Sequence, residues 1–376
     1  MSSGLNMSRR IRRTPYTDRV EAVGVSGFSV VNHMLLPKAF KQTIEEDYWH
    51  LREHVQIWDV SCQRQVEIRG HDAARLVQWM TPRDIRKAEI GQCFYIPMID
   101  EQGGMINDPV LLKLAADRFW LSIADSDVLL WAQGLALGAN MDVYISEPDV
   151  FPLAIQGPKA EDLMAKVFGE SVRDVGFFRF DWFAFQATRQ LIARSGYSKQ
   201  GGFEIYLQGN SLGHALWDTI WEAGREYNIK PGCPNVIERL EGGLLSYGND
   251  FTRENNPLEC DLGSYCELDS GIDFIGRRAL QTVKDQGVKR LIRGVLFAGD
   301  ACPPCGQPWP VMVQGMRVGQ ITSAGYSPRF KQNVGLSMMN LGYWDAGQLV
   351  TVLSPDGQER PGRVTLLPFD SQTGSV

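Results

Sequence analysis

Apolar and polar residues follow two different periods along this chain, and the periods predict both helices and strands. In residues 38–58, large apolar side chains recur at steps of three and four residues, which predicts an amphipathic helix. These positions are Phe40, Ile44, Tyr48, Leu51 and Val55. Residues 58–68 alternate between apolar and polar side chains, so we expect a strand there. From residue 289 onward, short alternating runs with Gly and Pro turns predict a separate β-domain.

Residues 95–114 consist of two apolar runs joined by Asp-Glu-Gln-Gly-Gly, a composition that predicts a β-hairpin. Asn107 and Asp108 interrupt the second run, where an unpaired buried carboxylate would be costly. Pro109 holds the preceding residue extended and cannot donate a ladder hydrogen bond, so the strand should be stiff and interrupted there. Asp108 is therefore a candidate site residue. An Asn-Asp pair that caps a neighbouring element would explain the same residues equally well.

A second polar interruption occurs in the predicted strand at residues 203–207. Its three apolar residues fall on one face, which leaves Glu204 and Tyr206 side by side on the other face. Glu204 is thus a second candidate, with a solvent-facing side chain as the alternative. In the predicted helix at residues 236–248, Arg239 falls near the apolar stripe. Its side chain is therefore either half-buried and paired, or extended along the surface into solvent.

The order of the predicted elements divides the chain into domains. Residues 1–25 contain five arginines and few large apolar residues, which predicts a mobile or surface-draped tail. Residues 61–147 read as one mixed unit with a mostly antiparallel sheet, and a new unit begins near residue 148. The first predicted domain is discontinuous and consists of residues 26–60 and 148–250. The second, residues 61–147, carries Asp108. A connector with a helix follows at 251–288, and a β-barrel at 289–376.

Composition narrows the class of protein without identifying it. A chain of 376 residues, 44% hydrophobic and 22% charged, can bury large cores and is long enough for two or three domains. A net charge of -6 gives no general attraction for nucleic acid or anionic membranes. No apolar run approaches the roughly 20 residues that span a bilayer, and the start lacks the apolar core of a signal peptide. We therefore expect a cytoplasmic protein without nucleic-acid or membrane partners.

Several residues have the spacing of metal or redox sites, but the signals are weak. Cys302 and Cys305 have CxxC spacing without a second such pair, and seven scattered cysteines are typical of free thiols in a reducing compartment. His50, Glu53 and His54 match the H-x-x-E-H pattern of inverted zinc proteases, yet two histidines on a polar helix face arise readily by chance. The sequence contains no Walker loop. We expect no bound metal.

Seven segments in collinear order resemble the folate-dependent aminomethyltransferase family, the glycine-cleavage T-protein group. They are residues 58–61 (WDVS), 95–108, 154–160 (AIQGPKA), 195–206, 239–250, 273–276 (DFIG) and 319–328 (GQITSAGYSP). The resemblance implies an α+β fold with three domains in a cloverleaf, two of them α/β-mixed with antiparallel sheets and the last a β-barrel. It also implies a central pocket that binds tetrahydrofolate, and it makes the discontinuous first domain the folate-binding one.

The resemblance gives roles to the two carboxylates already singled out. Asp108 falls on the family's catalytic aspartate, and Glu204 falls on the glutamate that anchors the pterin ring. Tetrahydrofolate is then the co-substrate, and Asp108 would orient its N5 atom and receive the charge or proton that develops there. We further expect the folate to contact Tyr95, Phe178, Tyr206 and Arg239.

Three departures from the T-protein pattern indicate a different substrate. Cys62 stands where that pattern has His, Asn107 stands where it has a second Asp, and Lys199-Gln200 stand where it has Gly-Glu. Further segments resemble a branch of the family that demethylates a small sulfonium zwitterion. These segments are residues 32–37, 45–51, 53–58, 126–128, 198–202 and 232–235.

A sulfonium donor suits this chain because it already carries an activated methyl group and leaves as a neutral thioether. The protein then needs only to align the reacting atoms and exclude water. Aromatic faces attract a cation with roughly 0.5 to 2 kcal/mol per good contact, and the candidates are Tyr197, Trp182, Tyr206 and Phe178. Lys199 is the candidate partner of the substrate carboxylate.

Three other functions stay open at this point. One is an aminomethyltransferase that works with an aminomethyl-lipoyl carrier. Another is a demethylase of a different methylated sulfonium or amine. The third is a folate-binding module without turnover. For the demethylase we expect small-molecule ligands only, and the chain would act alone or as a homodimer.

Overall fold

The structure, a computed structural model, describes residues 8–369. Contacts between residues divide the chain into two units. Within the described range, the first contains residues 8–77, 85–96 and 107–235, and the second contains 78–84, 97–106 and 236–369. Both units are therefore discontinuous in sequence. The domain bounds expected from the sequence stay a prediction.

Helices are interspersed among the strands up to residue 286, and only strands follow as far as residue 369. The α-helices are α1 (Thr17–Ala22), α2 (Ile44–Glu53), α3 (Ala73–Trp79), α4 (Val128–Gly138), α5 (Ala160–Phe168), α6 (Gly213–Gly224), α7 (Val236–Glu241) and α8 (Arg277–Gln286). In the part of the chain that the structure describes, no helix has the length and apolar character needed to cross a membrane.

The strands are short, and most belong to antiparallel pairs. Those of the N-terminal half are β1 (Gly27–Val31), β2 (Met34–Ala39), β3 (Gln56–Asp59), β4 (Gln65–Arg69), β5 (Cys93–Tyr95), β6 (Met98–Ile99), β7 (Met105–Asn107), β8 (Val110–Ala115), β9 (Arg118–Ser122), β10 (Tyr144–Ser146) and β11 (Val150–Gln156). Those that follow are β12 (Phe180–Phe185), β13 (Thr188–Ala193), β14 (Gly202–Gln208), β15 (Lys230–Pro231), β16 (Arg290–Phe297), β17 (Trp309–Val313), β18 (Met316–Ser327), β19 (Gln332–Asn340), β20 (Leu349–Leu353) and β21 (Glu359–Thr365).

Two sheets form the body of the first unit. One has five strands in the order β10-β4-β9-β8-β5, and the other has six in the order β12-β13-β14-β11-β3-β15. Neighbouring strands are antiparallel, except that the short β15 runs parallel to β3. β1 and β2 form a separate hairpin. The predicted mixed fold with antiparallel sheets is therefore confirmed.

The N-terminal segment contributes to the apolar core of the first unit. Tyr16 and Val20 are fully buried and belong to a large apolar cluster of this unit. The prediction of a mobile tail over residues 1–25 is therefore wrong for residues 8–25, because these two large side chains anchor the segment. Residues 1–7 lie outside the described residues.

The helix predicted for residues 38–58 is shorter than its apolar spacing suggested, because β2, α2 and β3 share this range. The helix begins after Thr43, whose hydroxyl accepts a 3.1 Å hydrogen bond from the Glu46 amide. The Glu46 carboxylate in turn accepts a 2.8 Å hydrogen bond from the Thr43 amide, which completes a capping box. Phe40 and Val55 are buried but lie outside the helix. Their spacing matches that of the helix, which is why the prediction was too long.

The hairpin predicted at residues 95–114 consists of two successive strand pairs. β6 pairs with β7 across a turn in which Gly103 has a φ of 84°, and β5 pairs with β8. Asp108 and Pro109 lie between β7 and β8 and belong to neither strand. The interruption predicted at Pro109 is therefore confirmed, and it places Asp108 where the chain leaves one strand pair for the other.

The second unit ends in a closed barrel. Its strands follow the order β16-β19-β18-β17-β20-β21, and β21 pairs back with β16. Buried apolar side chains such as Val295, Phe297 and Ile321 form a cluster within it. The β-barrel predicted at the C-terminal end of the chain is therefore confirmed.

Candidate active site

The carboxylate of Asp108 is only partly paired. Its Oδ2 atom accepts a 3.1 Å hydrogen bond from the hydroxyl of Tyr95 on β5. The other oxygen, Oδ1, is buried and has no hydrogen-bond partner among residues 8–369. Burial raises the pKa of Asp108 from 3.8 to about 7, and the hydrogen bond from Tyr95 opposes this shift. A carboxyl group with such a pKa is suited to proton transfer near neutral pH.

Asn107 fixes the backbone that carries Asp108. Its side-chain oxygen accepts 3.0 Å hydrogen bonds from the amides of Asp108 and Ala124. Its side-chain nitrogen donates to the Ala124 carbonyl at 3.1 Å and to the Ser126 hydroxyl at 2.8 Å. Asn107 thus caps a neighbouring loop, as the alternative interpretation of the Asn-Asp pair proposed. That interpretation does not extend to Asp108, whose Oδ1 atom stays unpaired.

Glu204 lies on β14 and is buried, with 6% of its surface exposed. Its strand neighbours are Ala154 on β11 and Ala193 on β13, and these small residues leave room beside the carboxylate. The Oε2 atom accepts a 2.6 Å hydrogen bond from the hydroxyl of Ser195. Burial raises the pKa of Glu204, and the hydrogen bond from Ser195 opposes the rise. The alternative of a solvent-facing Glu204 is therefore wrong.

Strand β5 connects the surroundings of the two carboxylates. Tyr95 holds Asp108, and Cys93 lies two residues earlier, on the same face of the strand. The pKa of Cys93 is raised mainly by burial and further by the nearby carboxylate of Glu204. The Cys93 amide also donates a 2.9 Å hydrogen bond to the carbonyl of Phe178, next to the six-stranded sheet. Asp108 and Glu204 therefore border the same region between the two sheets of the first unit.

Aromatic side chains fill the neighbouring part of this region. Trp120 and Tyr206 are fully buried, and Trp182 and Phe178 pack against them half-buried. The ring centre of Trp120 lies 6.4 Å from those of Tyr206 and Trp182. Its indole nitrogen donates a 2.8 Å hydrogen bond to Glu67, which fixes the orientation of the ring. Sequence reasoning missed Trp120, because β9 reads as an ordinary strand of alternating core residues.

The loop after β13 carries Tyr197 and Lys199 and is fixed at its base by Gln156. The side-chain oxygen of Gln156 accepts a 2.7 Å hydrogen bond from the hydroxyl of Ser198. Gly196 has a φ of 145°, and a Cβ atom there would lie 2.1 Å from the Gln156 amide, so this close approach requires glycine. Tyr197 is half-buried and Lys199 is exposed. Their contacts with a substrate stay a prediction.

Arg239 lies in the second unit, whereas the other predicted site residues lie in the first. It donates a 2.8 Å hydrogen bond to the carboxylate of Asp250 and a 2.7 Å hydrogen bond to the hydroxyl of Ser323. With 8% of its surface exposed, Arg239 is buried rather than half-buried, and it is paired as the first of its two predicted placements requires. Its contact with folate stays a prediction.

The residues considered for metal chemistry have other hydrogen bonds. His50 donates from Nε2 to the Asn228 carbonyl at 2.8 Å, and burial is the main cause that lowers its pKa to about 4. Nδ1 of His54 lies 2.9 Å from the ammonium of Lys159. Within the described range, no three His, Cys, Asp or Glu side chains are arranged to hold a metal ion, and the cysteines are free. That the chain binds no metal stays a prediction.

Two segments of the chain match known protein families. Residues 16–270 match the GCVT N-terminal domain, and residues 290–370 match the glycine cleavage T-protein C-terminal barrel domain. The chain therefore belongs to the glycine cleavage T-protein family. The family resemblance inferred from the sequence motifs is confirmed.

Individual relatives divide between two activities. The chain is 52% identical over 350 residues to the dimethylsulfoniopropionate demethylase DmdA of Ruegeria pomeroyi, with 93% of this chain and 95% of that protein covered. It is 31% identical over 325 residues to an aminomethyltransferase of Caldanaerobacter subterraneus, with 85% of each protein covered. Among solved structures, aminomethyltransferase T from Bartonella henselae superposes with a TM-score of 0.83 at 23% identity, covering 97% of this chain and 100% of that one. The last similarity concerns the fold alone.

The residues of the first unit fit a reduced folate. A reduced pterin is a flat ring with several N–H donors along its edge. Asp108 offers an unpaired buried oxygen, and Glu204 has a second oxygen, Oε1, without a hydrogen bond to any described residue. The aromatic side chains beside them supply apolar walls for a flat ring.

Proposed function

We propose that this chain transfers a methyl group from dimethylsulfoniopropionate to tetrahydrofolate, giving 5-methyltetrahydrofolate and 3-(methylthio)propanoate. The observation that carries the proposal is the 52% identity to DmdA of R. pomeroyi over 93% of the chain. The aminomethyltransferase relative, at 31% identity, is far more distant. The departures at Cys62, Asn107 and Lys199-Gln200 agree with a substrate unlike that of the T-protein.

The chemistry of the reaction places few demands on the protein. Tetrahydrofolate supplies a nucleophilic N5 atom that accepts the methyl group. The carbon–sulfur bond breaks with its electron pair going to sulfur, so the donor leaves as a neutral thioether, and the proton of N5 is released. The protein therefore has to align two ligands, exclude water and take up one proton.

We assign the uptake of this proton to Asp108. Its pKa of about 7 leaves a large ionised fraction at neutral pH, and its Oδ1 atom is unpaired. In the ionised form the carboxylate also attracts positive charge that develops beside it. The hydrogen bond from Tyr95 holds the carboxylate in place, so its orientation does not have to be established during the reaction.

Glu204 is the residue we assign to the pterin edge. Ser195 occupies one of its oxygens, which leaves the other to accept hydrogen bonds from ring N–H groups. A charge-assisted hydrogen bond of this kind is stronger than a neutral one. Tyr95, Tyr206 and Phe178 border the same region between the sheets, and we assign them to contacts with the folate.

The sulfonium group would be held by aromatic faces. Trp182, Tyr206 and Phe178 cluster around Trp120, and ring faces attract a cation without forming a bond that resists its departure. Tyr197 and Lys199, on the loop after β13, are assigned to the rest of the donor, with Lys199 facing its carboxylate. A thioether product carries no charge at sulfur and is held less tightly.

The test is a donor panel. Purified protein is incubated with tetrahydrofolate and dimethylsulfoniopropionate, other sulfonium and quaternary-amine donors, or an aminomethyl-lipoyl carrier, and 5-methyltetrahydrofolate is measured by chromatography. We expect equimolar 5-methyltetrahydrofolate and 3-(methylthio)propanoate from dimethylsulfoniopropionate. Turnover of the carrier instead would establish an aminomethyltransferase. Folate binding without turnover of any donor would establish a binding module.

A further inference from the structure

Gln65 is a buried residue of β4 that the reaction described above does not use. It is 1% exposed, and its side-chain nitrogen donates to the Gln63 carbonyl at 2.7 Å and to the Ser122 hydroxyl at 2.9 Å. Both N–H groups of the side-chain amide therefore donate hydrogen bonds. Rotating the amide by 180° would break these two hydrogen bonds. Its Oε1 atom is consequently fixed as an acceptor, yet it is buried without a partner among the described residues. An unpaired buried acceptor is costly.

This unpaired oxygen is one of a group. Paired residues run across one face of four strands of the five-stranded sheet, from Gln65 through Ser122 and Val110 to Tyr95, and Tyr95 holds Asp108. The hydroxyl of Tyr206, from the facing sheet, lies beside Ser122 without a hydrogen bond of normal geometry. Within residues 8–369, six buried side-chain polar atoms lack partners, and three of them belong to Gln65, Tyr206 and Asp108. Half of the unpaired atoms thus belong to residues on this row or in contact with it.

The chemistry of these three atoms favours a cation. An amide oxygen and a carboxylate oxygen only accept hydrogen bonds, and a phenol oxygen also has lone pairs to offer. They would repel the carboxylate of a zwitterion. A sulfonium centre polarises the C–H bonds of its methyl groups, so oxygen lone pairs attract it both through its charge and through C–H···O contacts. The neighbouring aromatic faces prefer the same sign of charge.

We propose that Gln65 binds the cationic head group of the methyl donor, with its amide oxygen directed at the methyl groups on sulfur. The ligand class is a small sulfonium. The identity of the donor rests on the proposed function, whereas recognition of a sulfonium by Gln65 can be tested by binding alone, without turnover.

The test compares a charged ligand with an uncharged one. Calorimetry without folate measures the affinities of dimethylsulfoniopropionate and of 3-(methylthio)propanoate, which lacks one methyl group and the positive charge. Gln65→Met keeps the size of the side chain and removes the acceptor. We expect it to weaken binding of the sulfonium by roughly two- to fivefold, the usual worth of one C–H···O contact, and binding of the thioether by less than about twofold.

Gln65→Glu is the second variant, and it tests the sign of the interaction. The new carboxyl ionises as the pH rises. The affinity of this variant for the sulfonium should then increase, while its affinity for the thioether should not. This expectation holds independently of whether Gln65→Met folds. Gln190→Met is the matched control, because Gln190 is equally buried but its oxygen accepts a 2.6 Å hydrogen bond from the Gln208 amide. It should lower the melting temperature and leave the ratio of the two affinities unchanged.

Several results would overturn the proposal. Equal losses for the charged and uncharged ligands in Gln65→Met, no loss for either, or a sulfonium affinity of Gln65→Glu that does not respond to pH would each do so. Weaker tetrahydrofolate binding with unchanged sulfonium affinity would make Gln65 a folate contact instead. Failure of the proposed function can be told apart from failure of the Gln65 proposal. In that case the wild-type protein would bind the sulfonium without methylating folate.

Discussion

Asp250 and Asp108 both have buried carboxylate oxygens, but their hydrogen bonding differs. Asp250, in the second unit, accepts hydrogen bonds at both oxygens from Arg239, Ser246, Thr322 and Ser323. Asp108, in the first unit, accepts one from Tyr95 and has an unpaired oxygen. A fully paired carboxylate has no capacity left for a ligand, whereas an unpaired one is costly unless something else binds it. Incomplete pairing, rather than burial, therefore distinguishes the candidate active site.

The two carboxylates should also differ in what their loss does to stability. The pKa of Asp108 is raised in the folded state from 3.8 to about 7, so its ionisation favours unfolding. This cost is fully present above about pH 7, shrinks as the pH falls toward 3.8, and is absent below that value. Asp250 instead forms an ion pair with Arg239, in which both side chains are almost completely buried. Removing one partner of such a pair leaves the other charge uncompensated.

The largest expected effect is a loss of stability in Asp250→Ala. Because Arg239 would stay buried without its partner, we expect the free energy of unfolding to fall by about 3 to 5 kcal/mol. Urea unfolding measures the change. The control is Asp269→Ala, since Asp269 pairs with Lys284 on the surface, where ion pairs contribute little. A change in Asp250→Ala as small as that of the control would show that full pairing is not what holds this region.

The next effect is on catalysis, in Asp108→Asn. This change keeps the shape of the side chain and removes its charge, so we expect kcat to fall roughly 10- to 1000-fold, the usual worth of one positioned acid–base or electrostatic group. Folate affinity should change less. Above about pH 7 the melting temperature should be unchanged or higher, because the cost of ionising the buried carboxyl is gone. A variant that does not fold would mean that the carboxylate is structural.

A smaller effect is expected on folate binding in Glu204→Gln. The change removes the charge from the hydrogen bond to the pterin edge, which should weaken tetrahydrofolate binding by about 1 to 3 kcal/mol. Calorimetry measures the affinity, and circular dichroism checks that the fold is retained. Glu170→Gln serves as the control, since that side chain is exposed. Unchanged affinity in Glu204→Gln would remove Glu204 from the folate site.

The smallest expected effect is that of a chelator. His50 and His54 interact with Asn228 and Lys159, so purified protein treated with EDTA should keep its turnover. Elemental analysis of the untreated protein should find no stoichiometric metal. Loss of activity in the chelator, followed by recovery with zinc, would contradict this expectation.

Sequence reasoning found the two carboxylates because each interrupts an apolar pattern. Asp108 breaks a hydrophobic run, and Glu204 occupies the polar face of a short strand, so both stand out without a structure. Gln65 and Trp120 could not be found in this way. Gln65 looks like the polar position of an alternating strand, and its unpaired oxygen depends on contacts with Ser122 that only the folded sheet creates.

Local patterns were least informative where tertiary contacts decide the structure. The apolar period of residues 38–58 continued through Phe40 and Val55, although a capping box starts the helix later. The arginine-rich composition of the N-terminal segment predicted a tail, yet Tyr16 and Val20 anchor it in the core. In both cases, the residues concerned belong to one buried apolar cluster whose members are distant in sequence.

The most direct test of the role of Asp108 is the pH dependence of kcat/KM for the sulfonium donor, which reports ionisations of the free enzyme. The wild-type value should rise with pH through an inflection near 7, where Asp108 ionises, and then level off. In Asp108→Asn this inflection should be absent. A wild-type profile without an inflection near pH 7, or an inflection there that persists in Asp108→Asn, would contradict the assignment of Asp108 as the group that takes up the proton.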